Sequence, residues 1–109
     1  YLELLDATVN IRKEADEITR NYDALIMPTV PTIAPILDHL EKSDTAYHEN
    51  NLLMLRNCSF GNFLDRCAIS LPIHQPGEAP VGMMVMGNTG EDEKLLEVAN
   101  CIEKVVLNV

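Results

Sequence analysis

Apolar side chains recur at helical spacing from about Leu2 to Arg20. Leu4, Ile11, Ala15, Ile18 and Tyr22 share one stripe, while Arg12, Lys13, Glu14, Asp16 and Glu17 face away. This predicts an amphipathic helix. Ala24–Met27 then reads as a short buried strand that stops at Pro28. Pro28, Pro31 and Pro35 each fix φ and lack a backbone donor, so the segment they punctuate cannot be helix or central strand. It is expected to run as a stiff extended loop, a wall or lip beside something. Ile36 to Glu49 is polar and irregular, a surface excursion with short helical turns. A second helix is predicted from about Asn51 to Leu64, with Leu53, Phe60 and Leu64 on a common face.

Ala68–Leu71 is the next predicted strand, closed by Pro72, and the Pro76-Gly77 pair makes a turn of the following loop. Val81–Met86 is the third. Asn88-Thr89-Gly90 breaks the chain, and Thr89 with Asp92 is expected to cap a last helix carrying Leu95, Ala99, Ile102 and Val106 on one face. The third strand does not alternate. Val81, Met83, Met84, Val85 and Met86 make it apolar on both faces, so both must be covered, as in the middle of an α/β sheet. Three helices and three strands are little material for that cover. The reading is therefore a piece of a larger α/β fold, with the missing cover supplied by sequence before Tyr1 and with self-association expected of the piece alone.

Composition narrows the classes. The chain has 109 residues, enough for one domain at most, and 47% hydrophobic content without low-complexity tracts is that of a globular protein. A net charge of −9 with dispersed Lys and Arg argues against binding a nucleic-acid backbone. No apolar run reaches the ~18 residues of a membrane span. Cys58, Cys67 and Cys101 are odd in number and lack C-x-x-C spacing, which reads as reduced buried thiols in a cytoplasmic protein rather than disulfides or a zinc site.

A catalytic constellation is missing. His39, His48 and His74 occupy separate loop contexts with no metal-binding spacing. Ser43, Ser59 and Ser70 are the only serines, and none lies in a Gly-x-Ser-x-Gly elbow or a glycine-serine-rich loop. Lys13, Lys42, Lys94 and Lys104 fall on polar faces or in turns, where nothing desolvates them into bases. The acidic clusters read as solvated faces and helix-start charge.

One resemblance covers nearly the whole chain. Tyr22-Asp23 leading into Ala24-Leu25-Ile26-Met27-Pro28-Thr29 and Pro31, Asn62 followed by Ala68-Ile69-Ser70-Leu71-Pro72, and Pro80-Val81-Gly82 followed by Gly87, Asp92, Leu95-Leu96 and Ala99 are similar, in order and spacing, to late segments of the amidase signature family. That resemblance implies an α/β fold in which residues 1–109 form the C-terminal segment of an amidase domain, giving the last strands and helices of a mixed β-sheet flanked by helices. It implies hydrolysis of a small amide by a serine, cis-peptide serine and lysine triad that lies upstream of this chain. No catalytic residue, cofactor or metal is implied within it. The expected partners are a small-molecule amide and the remainder of the amidase chain, with no nucleic acid and no membrane. The alternatives are an amidotransferase subunit that generates ammonia for glutamyl-tRNA, and a non-catalytic interaction module.

Within the family, Asp65-Arg66-Cys67 replaces a Gly-Leu-Pro-like run, and Phe60, Asn62, Asp65, Ala68 and Pro72 resemble the allophanate-hydrolase side. Leu55-Arg56-Asn57 stands where glutamine-using subunits place an acidic residue. The substrate-proximal candidates are accordingly Arg56, which suits a substrate carboxylate, Asn57 and Asn62. Against this stand an ordinary helix-surface role for Arg56 and a backbone-satisfying role for Asn62.

Overall fold

The computed structural model describes residues 1–106; residues 107–109 of the expected segment 1–109 lie outside them. Helix α1, Leu2–Thr19, leads through a turn closed by the Tyr22 N–H on the Thr19 carbonyl into strand β1, Leu25–Pro28. After the proline loop come α2, Leu37–Glu41, and α3, Asp44–Phe63. Strands β2, Ala68–Pro72, and β3, Gly82–Met86, precede α4, Asp92–Val106. Among the described residues no helix is long and apolar enough to cross a membrane.

The strands form one sheet in the order β1-β3-β2, and both pairings are antiparallel. The mixed sheet expected from the sequence is therefore not what these three strands make among themselves. The reason is the connection: a loop from 73 to 81 folds β3 straight back along β2, which only an antiparallel pair allows. Its Gln75-Pro76-Gly77-Glu78 turn is closed by the Glu78 N–H on the Gln75 carbonyl at 3.0 Å, with Gly77 at φ 91°. Pro28 and Pro72 end the two edge strands, where a missing ladder donor costs little.

The central position of β3 explains its unbroken apolar run. Met84, Val85 and Met86 are all buried, which requires cover on both faces. On one face Leu71 and Val85 pack with Leu95 and Ala99 of α4. On the other Met86 meets α3 at Gly61, where an added Cβ would sit 3.1 Å from the methionine methyl. Fully burying Val85 and Met86 contributes about 1.5–3 kcal/mol each. The strand β1 is less enclosed than its sequence suggested: it is an edge, and Ile26 is 59% exposed.

Several elements depart from expectation. The second helix begins at Asp44, inside the stretch predicted to be irregular, with the Ser43 hydroxyl accepting the Ala46 N–H. Residues 44–50 are polar around the whole helix, so periodicity does not reveal them. Thr89 does not cap α4; its hydroxyl donates to the Asp65 carbonyl at 2.6 Å, and the Leu95 N–H bonds the Glu91 carbonyl instead. Cys58 and Cys101 are exposed rather than buried, and only Cys67 is partly enclosed. Most of the stripe predicted on α1 is turned outward: Leu4 is 72% and Ile18 74% exposed, as is Tyr22, past the helix end, at 68%. The half-buried side keeps Ala15 of that stripe and adds Thr8, Arg12 and Thr19.

The end of α3 has a geometry that its sequence disguises. The Asp65 N–H bonds the Asn62 carbonyl and the Arg66 N–H bonds the Gly61 carbonyl, a Schellman ending whose left-handed residue is Asp65 at φ 56°. Glycine adopts that conformation freely, whereas a side chain is strained there and a carboxylate opposes the helix dipole. Asp65→Gly is expected to raise stability by about 1 kcal/mol, with Asp65→Asn giving a smaller gain. Chemical denaturation of the three proteins checks this; a loss on substitution by glycine would mean the Asp65 carboxylate holds something in place.

Candidate functional site

Two hydroxyls meet over the end of the central strand. Thr29, just past β1, and Ser70, on β2, are separated by 41 positions in sequence and lie 2.6 Å apart, Oγ1 to Oγ. They can meet because Gly82 lies between them without a side chain: a Cβ there would stand 2.5 Å from the Ser70 hydroxyl and 2.8 Å from that of Thr29. The Thr29 N–H also bonds the Gly82 carbonyl at 2.9 Å, which fixes the start of the proline loop against the sheet. The loop is thus the stiff wall expected from its prolines.

This hydroxyl pair divides two hollows. One, of about 270 Å³, lies between α3 and the sheet and is lined by Thr29, Ser70, Cys58, Asn62, Arg66 and Met84 among others. The second, of about 320 Å³, takes in Thr29, Ser70 and His74 with the rim prolines Pro72 and Pro80. A third hollow, about 300 Å³ and lined by Ile26, Met27, Pro28, Ile73, Val81, Gly82 and Met83, is almost wholly apolar.

The three sequence-predicted residues are distributed unequally. Asn62 lines the α3 cleft. Asn57 does not; its Nδ2 donates to the Pro28 carbonyl at 2.7 Å, satisfying the last acceptor of β1 and tying α3 to the loop. Arg56 is exposed and stands behind Asn57, donating from Nε to Asn57 Oδ1 at 3.3 Å. Arg56 therefore orients the asparagine that holds the wall, and only Asn62 borders the space.

Sequence reasoning passed over Arg66, the one charged residue bordering the α3 cleft. Its side chain is 2% exposed. One terminal nitrogen donates to Asp16 Oδ1 and to the Thr19 hydroxyl on α1, both at 2.8 Å. Its Nε is buried and has no partner. Arg12 completes the junction by donating to the Phe63 carbonyl at 2.7 Å, satisfying an acceptor at the C-terminus of α3. The signal for Arg66 was present as the departure Asp65-Arg66-Cys67, but nothing local distinguishes a buried arginine from a solvated one.

The chemistry available here is binding. Hydroxyls and a carboxamide offer hydrogen bonds to a small polar molecule. Ser70 is hydrogen-bonded to a threonine and not to a base, so no nucleophile is activated in this cleft. Among the described residues no group of three or more His, Cys, Asp or Glu is placed to hold a metal ion.

Likeness to known proteins places the chain that carries this cleft in a family. The sequence pattern of the amidase family matches residues 1–96. The chain belongs to the amidase family. It is 30% identical over 105 residues to a glutamyl-tRNA(Gln) amidotransferase subunit of Sulfolobus acidocaldarius, covering 96% of this chain and 21% of that protein. The corresponding subunit of Saccharolobus solfataricus is 27% identical over 104 residues, again 21% of its length. A 2-amino-5-chloromuconic acid deaminase of Comamonas testosteroni is 31% identical over 87 residues, covering 79% of this chain and 19% of the deaminase. This amidase-family chain thus spans about a fifth of the length of these curated relatives. Its Gly82 and hydroxyl pair fall inside the matched region, as do Asn62 and Arg66.

Proposed function

We propose that this chain is the C-terminal segment of an amide hydrolase and forms one wall of its substrate pocket. The nucleophilic serine, cis-peptide serine and lysine would come from sequence outside it. The observation that carries the reading is the α3 cleft itself, which collects polar side chains from the loop after β1, from α3 and from β2 and contains no nucleophile–base couple. A wall of that kind orients an amide whose carbonyl is attacked from elsewhere. The outward apolar stripe of α1 supports the same reading, since the remainder of an amidase chain is the natural cover for it. The protein would be cytoplasmic and need no cofactor.

Ammonia release from simple amides tests it. The 109-residue chain by itself should release none. The polypeptide in which it is joined to the rest of the amidase should turn over, and Asn62→Ala there should lower kcat/KM by about tenfold, the worth of one hydrogen bond to substrate. Steady turnover by the short chain that vanishes on replacing one of its own residues would end this reading. A second reading, an amidotransferase subunit generating ammonia for glutamyl-tRNA, is favoured by two relatives that carry that name. Glutamine separates the two: it would be the preferred ammonia donor of an amidotransferase and an indifferent substrate of a small-amide hydrolase. A non-catalytic interaction module would release ammonia from neither.

A further inference from the structure

Helix α1 is tied to the rest of the chain by polar contacts. Arg12 donates to the Phe63 carbonyl, and Arg66 donates to Asp16 and to the Thr19 hydroxyl. No residue of the helix is buried. Beside that seat runs an apolar row, Leu4, Ile11 and Ile18, each seven positions from the next and each exposed. At 1.5 Å of rise per residue the row extends about 21 Å along the helix axis. A strict seven-residue row drifts slowly round an α-helix. A partner follows all of it only as another helix, crossing at a shallow angle of about 20° and winding left-handed. Charge restricts the partner further. Glu3 and Glu14 border the row on the side away from the seat, with Glu17 just behind them. Arg12, Lys13 and Arg20 lie toward the seat or across the helix, so that flank carries no positive charge. The three carboxylates are exposed, and among the described residues none of them is in an ion pair.

We propose that this face of α1 is the docking surface for a second helix, supplied by the remainder of the amidase chain. That helix carries apolar residues at seven-residue spacing and lysine or arginine alongside them. The source rests on the amide-hydrolase reading; the kind of partner follows from the row and its acidic flank. The family match takes in α1, and about four fifths of the Sulfolobus relative lies outside its match, ample chain for such a helix. A second copy fits worse. Two α1 helices packed antiparallel along their rows set acidic flank against acidic flank.

Thermal melts of the full-length protein test the interface without any turnover. Ile18→Ser should lower the melting temperature by about 3 °C or more, because the side chain loses its cover. Isoleucine and serine have similar helix propensities, so at a solvated position the same change stays within about 1 °C. Glu14→Lys should lower it by about 2 °C, through contact with the partner's basic flank, and by less in about 0.5 M salt. On an uncovered helix that lysine would meet Glu17 three positions on and, in a chain of net charge −9, would hold or raise the melt. A neutral Ile18→Ser, or a neutral or stabilising Glu14→Lys, would overturn the proposal. If Ile18→Ser does not fold, Glu14→Lys and its salt dependence decide. Sedimentation velocity covers the source: a dimer that Ile18→Ser turns into monomers would make the partner a second copy and end the proposal. Losses in both variants of a protein that releases no ammonia from any amide would keep the helix interface and strike the hydrolase reading. An active amidase indifferent to both substitutions would do the reverse.

Discussion

Purified by itself, the 109-residue chain is expected to self-associate and not to behave as a compact monomer. Its accessible surface is 8179 Å², against roughly 6,100 Å² for a compact monomer of its mass. Its radius of gyration is 16.7 Å, against about 13 Å for a globular chain of this length. The molecule is a slab, 45 × 43 × 18 Å, with α1 attached to the end of α3 through Arg12 and Arg66. Leu4 and Ile18 on α1, Tyr22 just past it, and the apolar hollow around Ile26, Ile73 and Val81 are left in water. Patches of that size drive association, and both edge strands add unpaired backbone groups. Sedimentation velocity over a concentration series should show oligomers growing with concentration. If the chain is the proposed segment of a larger amidase, the same residues joined to the rest of it should not. A single monomeric species with a sharp cooperative melt would show that the slab needs no cover.

The second large effect is expected at Gly82. Valine there drives a branched side chain into the contact between Thr29 and Ser70, where even a Cβ stands 2.5 Å from one hydroxyl and 2.8 Å from the other. Backbone flanks the site on both sides, because Thr29 donates to the Gly82 carbonyl and Pro72 pairs with Gly82 in the sheet. The Ser70 hydroxyl can swing aside, but the Thr29 Cβ, 3.3 Å from the added carbon, yields only if the start of the loop shifts. Gly82→Val should cost about 3 kcal/mol and Gly82→Ala about 1–2 kcal/mol, since overpacking a fitted contact is destabilising. Ser70→Ala in the Gly82→Ala background removes the nearer obstacle and should recover part of the loss, giving a coupling energy of about 1 kcal/mol. Thermal or denaturant melts of the unsubstituted protein, Gly82→Val, Gly82→Ala, Ser70→Ala and the double variant check this. A neutral Gly82→Ala, or strictly additive losses, would mean that the hydroxyl contact is not a tight one.

The legible parts of the fold were those that local chemistry settles. The prolines at 28 and 72 stop strands wherever those strands lie, and both were placed within a residue. Leu95 and Ala99 were placed on the inner face of α4, because only one face of that helix is apolar. The α3 start was not legible, because a polar helix held by a serine cap has no hydrophobic period. Asp65 concealed a helix ending that glycine would have announced.

The candidate site was legible only in Asn62. Its companions are brought in by pairings that span the chain: Thr29 to Ser70 through the sheet, Arg66 to Asp16 across 50 positions, Asn57 to Pro28 across 29. Arg56 and Arg66 are the same residue type at either end of one short stretch, and periodicity gives no means of choosing between them.

By itself the sequence determined that β3 must be covered on both faces, that a rigid proline wall follows β1, and that the chain resembles an amidase in the order of its segments. Each of these depends on side-chain type and near neighbours alone. Only the tertiary structure decided that the three strands run antiparallel, that α1 turns its apolar stripe outward, and that Arg66 is buried beside Asn62 and the hydroxyl pair. Those outcomes depend on which distant surfaces meet. The free energy that decides them is summed over contacts between elements, and no single element carries it.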